Sequence, residues 1–257
     1  MAEVITQPLA GRAVLVTGGS SGIGRAIAVA AARAGADVAL TYHANQAGAR
    51  DVAREIEAGG RRAVVLQADI ADAASVRALG PAACTALGRL DVWVNNAGAD
   101  ILTGAGASLG LLEKLELLLA VDLRGTMLAS WEAAELFRAQ ERGGVIINMS
   151  WDHVLTGMAG RVPELFAAAK GGVLAFSKSL ARSVAPRVRV NVIAPGWIET
   201  SFAANLPDER RRDVAASAPL GRWGTPEDVA GAAVFLASPA AAFLTGQTIL
   251  IGGGAVM

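Results

Sequence analysis

The chain has 257 residues, 53% of them apolar, and its basic and acidic side chains each total 23. That length and apolar content suit one α/β domain spanning residues 1–257 with a sizeable core. The neutral balance gives no general pull toward nucleic acid or an anionic membrane, so the expected partner is a small-molecule substrate. Cys84 is the only cysteine, which excludes an internal disulfide and a thiolate metal cluster and fits a reducing cytoplasm.

The opening "MAEVITQPLAGRAVLV" lacks a basic segment leading into a long apolar run with a small-residue cleavage site, so it does not read as a secretory signal. The greasy "VAGAAVFLASPAAAFL" is interrupted by Ser238 and Pro239, and no other stretch is apolar for long enough to span a bilayer. A soluble, cytoplasmic protein with no metal is expected. Strands are predicted at "AVLVTG", "DVALTY", "AVVLQAD", "DVWVNN", "GVIINMS", "VRVNVIAP" and "TILIGG". Between them lie Ala-rich stretches of helical period such as "GIGRAIAVAAARAG", "QAGARDVAREIEAGG" and "AAAKGGVLAFSKSLARSVAP", closed by Gly or Pro. The alternation predicts βαβ units around a parallel sheet buried on both faces. The least regular segments, 151–163 and 198–225, follow strand carboxyl ends, where open α/β sheets place ligands.

Between the first strand and the first helix, "VTGGSSGIGRAIA" places Gly18, Gly22 and Gly24, with Ser20, Ser21 and Ile23 among them. Glycines there permit a tight turn, let backbone approach a diphosphate and aim a helix N-terminus at it. Asp69, followed by Ile70, ends "VVLQAD" and can accept a hydrogen bond from an adenine amino group; "NNAG", with Asn96, Ala97 and Gly98, closes the fourth strand.

With "TGGSSGIG", "NNAG", the lysine of "FAAAKGG", "APGWIET" and "GTPEDVAGAAVFLAS…TGQTI", the chain resembles the short-chain dehydrogenase/reductase family from about Leu9 to Gly254. The resemblance implies a Rossmann-type doubly wound seven-stranded sheet, a nicotinamide dinucleotide and a homo-oligomer, dimer or tetramer. It also implies that Pro195, Gly196, Ile198 and Thr200 cover the nicotinamide, Thr200 alternatively serving as a helix N-cap. At the end of the second strand, "ALTYHANQ", a carboxylate would bind the ribose hydroxyls and repel a 2′-phosphate. Here Tyr42 takes the acidic position and His43 the one where phosphate-selecting relatives often carry Arg, so NADP(H) is favoured over NAD(H).

The catalytic half departs from the family. Its tyrosine stands four residues before the lysine, on one helix face, so that the ammonium lowers the phenol pKa. Lys170 matches the lysine, but Phe166 occupies the tyrosine position, after an apparent two-residue insertion. The only tyrosine is Tyr42, at the adenosine end. The family's serine aligns with Trp151, with Ser150 one place early; its asparagine becomes Asp122 in "VDLRGT"; and Gly252 replaces an aspartate, a change read as structural.

Three readings follow. Hydride transfer persists with another proton carrier, the candidates being Asp122, Asp152, His153 and Glu164, and it favours an imine, iminium, quinone or enone over a ketone. Asp122 approaching Lys170 would compensate its charge, the alternative being an aspartate satisfied by backbone amides at a helix irregularity. In the second reading the pocket runs a cyclisation, isomerisation or elimination, with Trp151, Phe166 and Trp197 as an aromatic substrate wall. In the third the chain is an inactive dinucleotide-binding subunit. Arg210, Arg211 and Arg212 are expected on the solvated side of a lid helix, with an anionic substrate tail as the alternative. The apolar stretch "LGLLEKLELLLAVDLRGTMLASWEAAELF" is expected at a subunit contact.

Overall fold

The computed structural model describes residues 7–204 and 206–257. The opening segment considered above as a possible leader lies partly outside them, in residues 1–6. Seven parallel strands form one sheet in the order β3-β2-β1-β4-β5-β6-β7. They are β1 Ala13–Val16, β2 Asp37–Tyr42, β3 Ala63–Gln67, β4 Val92–Asn95, β5 Gly144–Met149, β6 Val188–Pro195 and β7 Thr248–Ile251. The strand order reverses between β1 and β4, the switch point at which open α/β sheets bind ligands. The β-branched runs form strands because the sheet is covered on both faces and each side chain meets a layer of helix.

One covering layer is α1 (Gly22–Arg33), α2 (Gln46–Ala58) and α10 (Pro226–Ala237), whose apolar faces share a core with Val14, Val16, Val92 and Ile147. On the opposite face α3 (Ala73–Leu87), α6 (Thr126–Ala139) and α7 (Arg161–Val184) enclose Leu15, Trp93, Ile146 and Val190. Their ends carry local signals. Asp72 caps α3 by accepting from the N–H groups of Ala74 and Ser75. Thr225 and Asp228 form a reciprocal capping box at α10. A buried polar chain crosses the second face: Asn95 donates to Asn148 (2.8 Å), which donates to Ser177 (2.9 Å), with Ser130 bonded to both asparagines.

Two elements differ from expectation. The apolar stretch from Leu111 is α5 (Leu111–Leu118), a π-helical segment at Leu119–Gly125, and then α6, an irregularity its apolar run does not signal; a short α4 (Gly104–Ala107) precedes it. The wider turn of a π-helix rotates the side chains that follow, and Asp122 lies within it. Helix α7 begins at Arg161, well before the alanine run, because Pro163 falls in its first turn, where the missing N–H has no intrahelical partner to lose. Between β6 and α10 lie α8 (Ser201–Ala204) and α9 (Asp208–Ser217). No helix among the described residues is long and apolar enough to cross a membrane.

Candidate active site

The glycine turn is fixed from below by Thr17. Its hydroxyl accepts from the main-chain N–H groups of Asn96 and Ala97, both at 3.0 Å. The Asn96 side-chain amide donates to the carbonyls of Thr17 (3.0 Å) and Gly18 (3.2 Å), and the Gly18 N–H donates to Thr41. Gly18 and Gly22 have φ of +66° and +52°. Gly24 is packed so closely that a Cβ would meet the Gly18 carbonyl and lie 2.5 Å from the Asn96 amide. The turn thus presents bare backbone, Ser20 and Ser21 following Gly18 with Ile23 behind them in α1. Opposite stands Thr200, whose methyl would lie 3.7 Å from a Cβ on Gly22, so the segment after β6 reaches over the turn.

Tyr42 closes β2 and is buried, and His43 beyond it is exposed, with its carbonyl accepting from Gln67. Asp69 is exposed after β3; one carboxylate oxygen accepts from Ala71 N–H, and the other has no hydrogen-bond partner among the described residues. Ile70 is buried and packs where Gly125 leaves room. Gly98 lies against the carboxylate of Asp122. These residues fit a dinucleotide, since a side chain at Gly18, Gly22 or Gly24 would fill the cradle or strain its backbone. The Ile198 side chain is buried in the core against Gly224, to which its backbone bridges, so what Ile198 offers the cleft is main chain. Pro195 ends β6, and Gly196 just after it donates to the Ile251 carbonyl.

Lys170 projects from the inner face of α7 and is buried. Its ammonium lies 2.9 Å from Asp122 Oδ1 and donates to the Met149 carbonyl at 3.3 Å. Asp122 Oδ2 accepts from Ala99 N–H at 2.9 Å. Asp122 is therefore both things the sequence left open, a partner of Lys170 and an acceptor for a backbone amide at a helix irregularity. Phe166, one turn earlier, presents its ring 5.7 Å from the ammonium. Ser150 is buried and donates to the Lys170 carbonyl at 2.8 Å. Its hydroxyl braces α7.

Trp151 meets Phe166 edge-on at 5.5 Å and stacks on His153 at 4.9 Å, with 21° between the rings. His153 in turn meets Trp197 at 6.1 Å, and Trp197 continues to Phe202 and Trp223. His153 Nδ1 lies 2.6 Å from Asp152 Oδ1. Glu164 is exposed on the first turn of α7. In α9, Arg210 and Arg212 are exposed, but Arg211 departs from the solvated row: it donates to the Ala203 carbonyl and to Glu199 and lies over Trp223. Two hydrogen bonds from Arg222 hold the Asp228 carboxyl down to about 2, fixing the segment behind Trp223.

Sequence reasoning passed over Thr17, legible in the "VTGG" run, and Trp223, whose place in the ring cluster only the fold reveals. Gly252 was read as a structural change. In the fold it and Gly196 bound the slot that holds the Asp152 carboxylate.

A doubly wound sheet of this order, a glycine turn leaving β1 and a buried lysine on the helix after β5 form the frame of a short-chain dehydrogenase/reductase. The chain belongs to that family and is an oxidoreductase of its type: residues 18–256 match the family described as enoyl-(acyl carrier protein) reductase. It is 36% identical to 3beta-hydroxysteroid dehydrogenase 1 of Eggerthella lenta over 256 residues, 96% of this chain and 94% of that protein. Among solved structures it is similar to a blue fluorescent protein from a metagenomic library in complex with NADPH, at 36% identity and a TM-score of 0.86, covering 98% of this chain and all of that one. A short-chain dehydrogenase from Burkholderia cenocepacia in complex with NADP gives 36% identity and a TM-score of 0.86, over 96% of this chain and 99% of that one.

Proposed function

We propose that this protein is an NADP(H)-dependent reductase of an activated small-molecule acceptor, an imine or iminium, quinone or conjugated enone. The observation that carries the reading is the buried 2.9 Å ion pair between Lys170 and Asp122 beside the ring of Phe166. In the family's usual arrangement the lysine charge stabilises a phenolate. Here no phenol stands in that position and the charge is spent on Asp122, so acceptors whose reduced product is a weak base are favoured.

The cofactor is held by the backbone at Gly18, Ser20, Ser21, Gly22, Ile23 and Gly24, by Asp69, Ile70, Asn96, Ala97 and Gly98, by Lys170, and by the segment Pro195, Gly196, Ile198 and Thr200. When bound, it supplies a hydride to the acceptor carbon. The chain's own residues orient the acceptor between Trp151, Phe166 and Trp197 and limit water there. Preference for NADP(H) rests on the lack of a carboxylate at the end of β2 and on exposed His43 just beyond it, and both similar structures named above carry the phosphorylated dinucleotide. Exposed Trp131 on α6, edge-on to Phe176 of α7 at 5.6 Å, supports association of copies through these two helices, a reading that a monomer in sedimentation would remove.

The test is purified protein with NADPH against ketones, iminium salts, quinones and enones. Consumption with activated acceptors and slow consumption with unactivated ketones is expected; NADPH binding with no consumption across all classes overturns the reading. His43→Asp should move the preference toward NAD(H), and an unchanged NADPH affinity counts against the cofactor assignment.

A further inference from the structure

We propose that His153, held by Asp152, is the proton carrier of the site, in place of the phenol the family positions beside its lysine. This rests on the reductase reading above and names the residue that completes it.

The carboxylate comes first. Asp152 is fully buried at the carboxyl end of β5. Its Oδ1 accepts twice from the same neighbour, from the His153 main-chain N–H at 2.7 Å and from its ring, with Nδ1 at 2.6 Å. Its Oδ2 is buried with no hydrogen-bond partner among the described residues. That oxygen occupies a slot made by two glycines: a Cβ on Gly196 would lie 2.5 Å from it, and one on Gly252 would strike it as well. The carboxylate therefore has little room to turn. Among the described residues the imidazole is the only ion-pair partner it has. A buried carboxylate with one unbonded oxygen is expensive unless a cation offsets it, and His153 is the group able to supply that charge.

The imidazole is equally constrained. One face lies on Trp151 and its edge meets Trp197, while the side chain keeps 17% of its exposure. With Nδ1–H given to Asp152, the nitrogen left free is Nε2, which has no hydrogen-bond partner among the described residues. A carboxylate that fixes the tautomer and presents the other nitrogen to the cleft is the arrangement by which a histidine moves protons near neutrality. Lys170 is not in this pair; it lies beyond Phe166 and Trp151, engaged by Asp122.

An enone would be reduced by one hydride and one proton. The acceptor gains a hydride at its β-carbon from the reduced nicotinamide, which is oxidised. Its π electrons move onto the conjugated oxygen and α-carbon, the Nε2–H bond of protonated His153 breaks, and the proton goes to that anion. Neutral His153 keeps Nδ1–H on Asp152 and regains a proton at Nε2 from solvent. His153 is thus assigned as catalytic and Asp152 as the residue that positions it.

Only two histidines, His43 and His153, are present, so long-range proton–nitrogen correlation NMR on the whole protein reads their tautomers without reference to turnover. Neutral His153 is expected in the Nδ1–H form, shifting toward Nε2–H in Asp152→Asn. With an enone and NADPH, His153→Gln should lower kcat by ~10²–10⁴, the usual worth of a general acid, and leave NADPH affinity within about threefold. Wild-type His153 in the Nε2–H form, or a His153→Gln kcat within about threefold of wild type, overturns the assignment while leaving the reductase reading standing. Wild-type protein that binds NADPH but consumes it with none of the acceptor classes overturns that reading, and the role of His153 with it.

Discussion

The two halves of the cleft have been treated differently. Around the glycine turn the family's residues are present and mutually satisfied: Thr17, Asn96, Ala97 and Gly18 share one hydrogen-bond system between β1 and β4. Around Lys170 the positions remain but the partners have changed. Asp122 takes the charge that a phenolate would have used, Trp151 fills the serine position, and a second buried carboxylate, Asp152, faces an imidazole. The two carboxylates also differ from each other. Both oxygens of Asp122 are engaged, by an ammonium and an amide N–H, which suits a fixed structural charge. Asp152 leaves one oxygen without a hydrogen-bond partner among the described residues and leans on an imidazole, a group able to take up and give a proton, which suits a charge that changes during turnover. A binding site can therefore be conserved in outline while the charges within it are reassigned.

The sharpest way to break this contrast is to remove the Asp122 carboxylate. Asp122→Ala leaves Lys170 buried with only the Met149 carbonyl and leaves the Ala99 N–H without its acceptor. A loss of about 3–5 kcal/mol in urea unfolding is expected, the cost of stranding a buried charge. Asp122→Asn keeps an acceptor for Ala99 and should lose less. Equal, small losses in both variants would mean that the pair is not a structural charge.

The cofactor half is tested by Gly24→Val. Its Cβ would run into the Gly18 carbonyl and the Asn96 amide, so the turn must open. Overpacking of this kind costs about 1–3 kcal/mol, and NADPH affinity read by fluorescence titration should fall at least tenfold, ~1.4 kcal/mol. Retained affinity would show that the turn is not the phosphate cradle.

Much of the architecture was legible because its causes are local. Alternating β-branched runs and Gly-terminated helices gave the parallel sheet, and the strand-to-helix glycines marked the switch point. The residues Phe166, Trp151 and Asp122 were also visible as changes of residue type at positions of the motifs the chain resembles. What stayed hidden depends on distance in space. The π-helical turn that aims Asp122 at Lys170 has no sequence signal separate from the apolar run around it. The slot for Asp152 is built from Gly196 and Gly252, far apart in the chain, and nothing local says that a glycine at 252 vacates room for a carboxylate at 152. Arg211 differs from Arg210 and Arg212 only because Glu199, Ala203 and Trp223 lie on its side of α9.

The smallest effect tests the reassigned charge most directly. Phe166→Tyr would place a hydroxyl near Lys170, whose ammonium is 5.7 Å from the present ring centre and already engaged by Asp122. With that charge cancelled, the introduced phenol should titrate near its ordinary value of about 10. In Phe166→Tyr combined with Asp122→Asn the lysine charge is released, and the phenol should fall by about 1 unit or more, ~1.4 kcal/mol of differential stabilisation. Ultraviolet difference titration reads both, with Tyr42 as a constant background. The single variant should also remain a slow ketone reductase, because Trp151 still stands where a serine would hold the carbonyl. A phenol already lowered in the single variant, or a large gain in ketone turnover from that one change, would mean that Asp122 has not taken the lysine charge and that the catalytic half differs from its relatives by a missing hydroxyl alone.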